Sequence, residues 1–273
     1  MTAESLLEKS PRSVDTTLGG VLCSNHFRQS TTDDALIEAS SKEPDAQPQL
    51  TGHLHHMDAP TDPDRRFPGA RMRKLVYFIA VSIDGFIAGP DGSDPTGPDG
   101  FWPVAQDYIQ HLAQTYPETL PAPARQALGI TAEGTHFDTV LEGRRTYMNG
   151  VDAGFANCYP HLRHYVFTRT LTESPDPGVE LVATDPVAKV RELKREDGKD
   201  IWLCGGGELA GALRGEIDRL VVKLAPLTLG SGTPLFGRGA AAFAPTLYDR
   251  TDAVVLDSGT LFLTYDKKAG GDA

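Results

Sequence analysis

The chain has 273 residues, a formal net charge of −11, 40% hydrophobic residues, 28 glycines and 20 prolines. That length holds one large domain or two small ones, and the acidity argues against general nucleic-acid binding and adsorption to anionic membranes while leaving room for a local basic pocket. The three cysteines, Cys23, Cys158 and Cys204, are odd in number and widely spaced, so neither a disulfide framework nor a zinc site is expected.

Residues 1–71 are rich in Ser, Thr, Asp, Glu, Pro and Gln and carry no sustained apolar periodicity. Such a segment cannot bury enough surface to offset its ordering entropy, and it is predicted to be a disordered extension. Within it, His53-x-His55-His56 has the composition of a metal site but no scaffold. Arg71-Met72-Arg73-Lys74 followed by Leu75 to Ile83 has the charge-then-apolar order of a signal peptide. It begins far into the chain, Asp84-Gly85 interrupts it, and it is too short to span a membrane. A cytoplasmic protein is expected, with a folded domain over 72–268 and a flexible tail over 269–273.

Lys74 to Ser82 is a β-branched and aromatic run that predicts a central strand. Asp84-Gly85 then reads as a turn, and two readings of Asp84 stand side by side. Its carboxylate bonds its own backbone, or Asp84 or its neighbours stand beside a bound cofactor at a strand's carboxyl end. Trp102 to Tyr116 carries helical spacing through Val104, Tyr108 and Leu112, and Pro117 ends it. Pro121 to Leu128 predicts a second short helix.

Phe137 to Leu141 predicts a strand running into Glu142-Gly143-Arg144-Arg145-Thr146-Tyr147-Met148. A glycine, two arginines and a threonine at a strand-to-helix junction supply close backbone approach, positive charge and a hydroxyl, the parts a phosphate needs. A second junction follows at His164 to Thr170, a strand ending in Thr168-Arg169-Thr170, where Arg169 suits a phosphate or an adenine face. Asp185 as N-cap and Pro186 at the first helical position open a helix to about Glu196.

The third junction dominates the chain. Asp200 to Cys204 is a short apolar strand, Gly205-Gly206-Gly207 is a turn without any Cβ, and Glu208-Leu209-Ala210 begins a helix. A ligand can approach such a backbone closely, and a phosphate facing the helix start is the expected occupant. Gly205, Gly207 and Ala210 also fit the relaxed dinucleotide fingerprint, but the acid it requires after the next strand is missing, and no P-loop occurs. After Glu216 come strands at Ile217 to Ala225, Val254 to Leu256 and Thr260 to Tyr265. Asp257-Ser258-Gly259 joins the last two as a hairpin, and a glycine-rich loop runs from Thr228 to Gly237. The whole is an α/β sheet, parallel through its middle and antiparallel at its C-terminal edge.

Five stretches together resemble one family: SIDGFIAGPDGS (Ser82 to Ser93), LEGRRTY (Leu141 to Tyr147), FTRTL (Phe167 to Leu171), IWLCGGGELAGAL (Ile201 to Leu213) and LTLGSGTPLF (Leu227 to Phe236). From about Met72 to Lys268 the chain is similar to the RibD C-terminal domain family of bacterial reductases, within the dihydrofolate reductase-like superfamily. The resemblance implies a three-layer α/β fold, a mixed, mostly parallel sheet with helices on both faces, and NADPH as cofactor. It implies that Gly143, Arg144 and Thr146 take the pyrophosphate region and that Thr168 and Arg169 sit near the adenosine phosphate. Gly205, Gly206, Gly207, Glu208 and Leu209 would wrap the diphosphate and ribose, and Ala80 and Ile87 would line the nicotinamide pocket. The implied activity is hydride transfer to a small heterocyclic or carbonyl/imine substrate. A 5-amino-6-(5-phosphoribosylamino)uracil reductase of the riboflavin type is the best match, with a dihydrofolate reductase or a non-catalytic NADP-binding sensor as alternatives. Dihydrofolate reductases set a carboxylate from the first helix against the pteridine ring, and here that helix offers only Asp107. The final proton comes from Asp84, from Asp107 or from water, which makes Asp84 and Asp107 the candidate catalytic residues. The zinc signature of the deaminase often fused to riboflavin-pathway reductases is missing. A homodimer is expected, with the antiparallel edge near Thr260 to Tyr265 as an exposed pairing surface.

Overall fold

A computed structural model describes residues 72–93, 95–96, 100–239 and 244–272. The predicted extension over 1–71, with its histidine cluster, lies outside the described residues. Strand β1 (Leu75–Val81) opens the domain, followed by β2 (Phe86–Ala88), α1 (Gln106–Thr115), α2 (Ala122–Ala127), β3 (Phe137–Gly143), α3 (Arg144–Asp152), β4 (Arg163–Phe167) and β5 (Val179–Val182). The second half runs α4 (Pro186–Lys194), β6 (Asp200–Gly205), α5 (Gly207–Ala212), β7 (Arg219–Leu224), β8 (Thr233–Pro234), β9 (Thr246–Val255) and β10 (Leu261–Asp272).

Among the described residues one sheet has the order β5-β4-β3-β6-β1-β7-β10-β9, and β2 pairs separately with β8. Its first six strands are mutually parallel, while β10 runs antiparallel to both β7 and β9. This is the mixed, mostly parallel sheet with an antiparallel C-terminal edge that the sequence predicts. Parallel strands covered on both faces read as unbroken apolar runs, and β1 is one: Leu75, Val76, Tyr77 and Phe78 are all buried.

Alternate residues of each strand face opposite layers. On one face Val76, Phe78, Val140 and Trp202 pack against Tyr108, Ile109 and Leu112 of α1, with Leu120 and Ala124. On the other, Leu75, Tyr77, Leu141 and Leu203 pack against Val190 and Leu193 of α4 and Leu209 and Ala210 of α5. Helix α4 starts as predicted, with the Asp185 side chain accepting from Val187 N–H at 2.9 Å and Pro186 in the first turn.

The C-terminal hairpin departs from expectation. Strand β9 spans ten residues instead of the three over Val254 to Leu256, and most of them are exposed. An edge strand with little cover has no core-facing alternation to betray it. Because β9 covers the outer side of β10, Thr260 to Tyr265 is not the sheet edge; β9 is. Strand β10 also runs to Asp272, pairing there with Thr246, in the stretch expected as a flexible tail. No helix among the described residues is long and apolar enough to cross a membrane.

Candidate functional site

A cleft of about 1000 Å³ opens at the carboxyl ends of β1, β3, β4 and β6. Open α/β sheets bind ligands at this end because the strand-to-helix turns converge there. The three junctions singled out by sequence all reach it. Gly143 from β3–α3, Thr168 and Arg169 from β4, and Gly205 to Leu209 from β6–α5 line one continuous wall.

Glycine is required here for stated reasons. Gly205 has φ +147°, a region L side chains rarely adopt, and its peptide bond to Gly206 is cis. A Cβ on Gly207 would lie 2.4 Å from the Pro234 carbonyl oxygen and 2.8 Å from Gly237 N. The glycine-rich loop thus packs directly onto the start of α5, and Glu208 fastens it by accepting from Arg238 N–H at 2.8 Å. Gly143 faces Gly206 across the cleft floor, where a Cβ would come 3.6 Å from Gly206 N. Neither α3 nor α5 carries a side-chain cap at its N-terminus. Arg144, Arg145 and Arg169 are exposed at this wall, and Thr168 Oγ1 accepts from the amides of Thr170 and Leu171, shaping the turn that presents Arg169.

All twelve residues expected to hold the cofactor line this cleft: Ala80, Ile87, Gly143, Arg144, Thr146, Thr168, Arg169, Gly205, Gly206, Gly207, Glu208 and Leu209. Asp84 and Asp107 do not. The Asp84 carboxylate accepts from Ser82 Oγ at 2.6 Å and from the amides of Leu229 and Gly230, at 2.7 Å for the latter. It clasps the β1–β2 turn to the glycine-rich loop, and the Ser82 hydroxyl bond leads the effects that hold its pKa below the ordinary value. Asp107 accepts from Ser258 N–H at 2.8 Å and from its neighbour Tyr108 at 2.7 Å, tying α1 to the β9–β10 hairpin. The Ser258 amide is the main cause of its lowered pKa. The face that α1 turns to the cleft is Tyr108 and Leu112 instead.

Three further features of the cleft escape sequence reasoning. Glu142 is buried and bonds His164 Nε2 at 2.9 Å, while His164 Nδ1 lies 3.0 Å from Asn157 Oδ1. That same Oδ1 accepts from Tyr159 N–H, so it is an acceptor and His164 Nδ1 carries a proton. The second feature is Lys223 on β7, whose ammonium lies 4.3 Å from the centre of the Phe78 ring. The third is Trp202 on β6, which lines the cleft and donates its indole N–H to Phe78 O at 3.2 Å. An acid within the buried run Val140 to Gly143 was the available signal for the first; β7 gave none for the second.

Fold and cleft together define an α/β protein with a ligand cleft at the carboxyl ends of its parallel strands. The chain belongs to the RibD C-terminal domain family, whose model matches residues 73–250. In sequence it is similar to two Bacillus subtilis (strain 168) proteins. YwjB is 31% identical over 166 residues, covering 60% of this chain and 83% of YwjB. YyaP is 27% identical over 179 residues, covering 61% of this chain and 81% of YyaP. Both carry the description "uncharacterized protein". Among solved structures, a candidate riboflavin biosynthesis protein from Shewanella sp. PV-4 superposes with a TM-score of 0.51 at 21% identity, over 72% of this chain and 99% of that one. The Thermotoga maritima diaminohydroxyphosphoribosylaminopyrimidine deaminase/5-amino-6-(5-phosphoribosylamino)uracil reductase does so with a TM-score of 0.50 at 16% identity, over 72% of this chain and 57% of that one. At these identities the two structures speak for the fold.

Proposed function

We propose that this protein is an NADPH-dependent reductase that transfers hydride to a small heterocyclic or carbonyl/imine acceptor, with a 5-amino-6-(5-phosphoribosylamino)uracil-like pyrimidine as the preferred class. The observation that carries the reading is the convergence of three strand-end junctions, two of them glycine-bearing, and of Arg144, Arg145 and Arg169 on one wall of one cleft. All three arginines are exposed, and Arg145 lies close enough to Asp91 to hold its carboxylate lower. The wall fits a dinucleotide: bare backbone for close approach, uncapped helix starts for the diphosphate, and planar cations for a terminal phosphate or adenine.

In this reading Gly143, Arg144, Thr146 and Gly205 to Leu209 hold the diphosphate. Thr168 and Arg169 take the adenosine phosphate, and Ala80 and Ile87 form the floor against which the nicotinamide lies. The cofactor supplies the hydride. The chain supplies position and dryness: Phe78, Tyr108, Leu112, Leu120 and Trp202 make an apolar substrate end from which water is excluded. Asp84 and Asp107 serve as structural clasps. A dihydrofolate reductase activity is disfavoured, because α1 presents Tyr108 and Leu112 where that chemistry needs a carboxylate.

Calorimetric titration of NADPH and NADH into wild type and Arg169→Ala tests the reading. NADPH binds at least about tenfold more tightly than NADH to wild type, and the variant loses that preference. Equal affinity of wild type for both nucleotides, or binding of neither, overturns the cofactor assignment.

A further inference from the structure

Strand β7 places Lys223 beside Ala80 of β1 and opposite Phe262 of β10. Parallel neighbours direct paired residues to the same face, so Lys223 stands on the cleft side with Phe78 and Ala80. Its ammonium lies over Phe78 at 4.3 Å and 6.0 Å from the Tyr108 ring centre. Those ring faces cover part of the charge. No hydrogen bond or ion pair joins it to any described residue.

The basic side chains at the opposite, amino end of these strands are matched within the fold. Arg73 pairs with Asp138, Lys74 and Arg219 with Asp266, and Lys194 with Asp218. The cleft's two carboxylates are committed elsewhere, Glu142 to His164 and Glu208 to the Arg238 amide. A half-buried ammonium set over the Phe78 and Tyr108 rings, in a cleft that Leu112 and Trp202 also line, is costly unless a ligand supplies the anion.

We infer that Lys223 is the substrate-recognition cation of this cleft and that it takes a planar heterocycle bearing an anionic oxygen, either a ring carboxylate or an ionised ring oxo group. The inference deepens the reductase reading and rests on it in one respect, that the reacting face of the ring lies against the nicotinamide held at Ala80. The substrate end then has the opposite charge logic from a site that holds a cationic ring with a carboxylate. Selectivity follows from electrostatic match, since an uncharged or cationic ring leaves the ammonium desolvated and unmatched.

The test compares three pyrimidines of similar shape, uracil as the uncharged ring, orotate as the ring carboxylate and barbiturate as the ionised ring oxo compound. Each is titrated calorimetrically into the full chain at neutral pH, without nucleotide and again with NADPH present, for wild type, Lys223→Met and Lys223→Arg. At least one anionic ring binds wild type about tenfold or more tightly than uracil, Lys223→Met loses that margin, and Lys223→Arg keeps most of it. Which anion wins identifies the source of the charge. NADPH affinity stays within about twofold across the three proteins, which also reports that the variants are folded. Equal binding of all three rings to wild type, or an undiminished anion preference in Lys223→Met, overturns the inference. Failure of wild type to bind NADPH overturns the cofactor reading alone, because the nucleotide-free titrations still decide the role of Lys223.

Discussion

At the scale of single residues, the cleft wall contains a proton-counting problem with one solution. His164 Nδ1 donates to Asn157, so Glu142 and His164 Nε2 must share a proton between them, as acid and imidazole or as carboxylate and imidazolium. Either way each partner satisfies the other in a site closed to water. Glu142→Leu leaves Nε2 unpartnered and lowers stability by about 1–3 kcal/mol, read as a shift in the urea midpoint. Glu142→Gln, which can still donate an amide hydrogen, costs less; a Leu variant as stable as wild type would show the pair to be idle. The pair also shows what a sequence conceals. Glu142 opens the Glu142-to-Met148 stretch with no role of its own in the sequence, because its partner is 22 positions away and arrives through the pairing of β3 with β4.

At the scale of elements, the junctions were legible because their chemistry is local. Gly143, Arg144 and Thr146 are near neighbours, and so are Gly205 to Leu209; turn geometry and close approach are written within a few residues. What could not be read were relations across the sheet. Asp107 lies on the predicted first helix, but its partner Ser258 is 151 positions away and only the finished hairpin brings it near. Lys223 reads as an ordinary polar interruption until the β1–β7 register sets it beside Ala80. The contact between α5 and the glycine-rich loop is of this second kind and yields a prediction. Gly207→Ala drives a methyl group into the Pro234 carbonyl and the Gly237 backbone, so either α5 or the loop must move. The expected result is a loss of about 1–3 kcal/mol of stability and a fall in NADPH affinity of about tenfold or more. Unchanged affinity and melting temperature would remove Gly207 from the account.

For the whole molecule, the long-range clasps are mostly carboxylates, and that fixes how it responds to acid. The Arg219 side chain is the chief cause holding Asp266 below its ordinary 3.8, and the Ser82 hydroxyl and Ser258 amide do the same for Asp84 and Asp107. A group whose folded pKa is depressed stabilises the fold above its unfolded pKa, and that contribution is lost as pH falls through the folded value. Burial also lowers His111 and His161 below 6.5, so both favour the fold while neutral and begin to oppose it as pH drops through 6.5. Stability therefore declines in two stages, gently from about pH 6.5 and steeply below about pH 4. Urea midpoints measured across that range check the shape, and Asp266→Asn shrinks the second stage. A stability maximum below pH 4 would contradict it. The architecture itself was largely readable, because buried parallel strands announce themselves as apolar runs. The outer hairpin was not, because β9 has a mostly exposed, weakly patterned surface.

Trp202 has a consequence of an optical kind. Its indole is fixed by the bond to Phe78 O, edge-on to the Phe78 ring, and it forms part of the cleft wall. The chain has two tryptophans, and the other, Trp102, lies in the loop before α1. Replacing Trp102 with Phe leaves a single emitter built into the place where ligands settle. Indole emission overlaps dihydronicotinamide absorption, so under the proposed cofactor reading the reduced nucleotide quenches Trp202 by energy transfer, and its oxidation restores the light. On that proposal the protein carries its own lamp for watching turnover in real time, with no label attached.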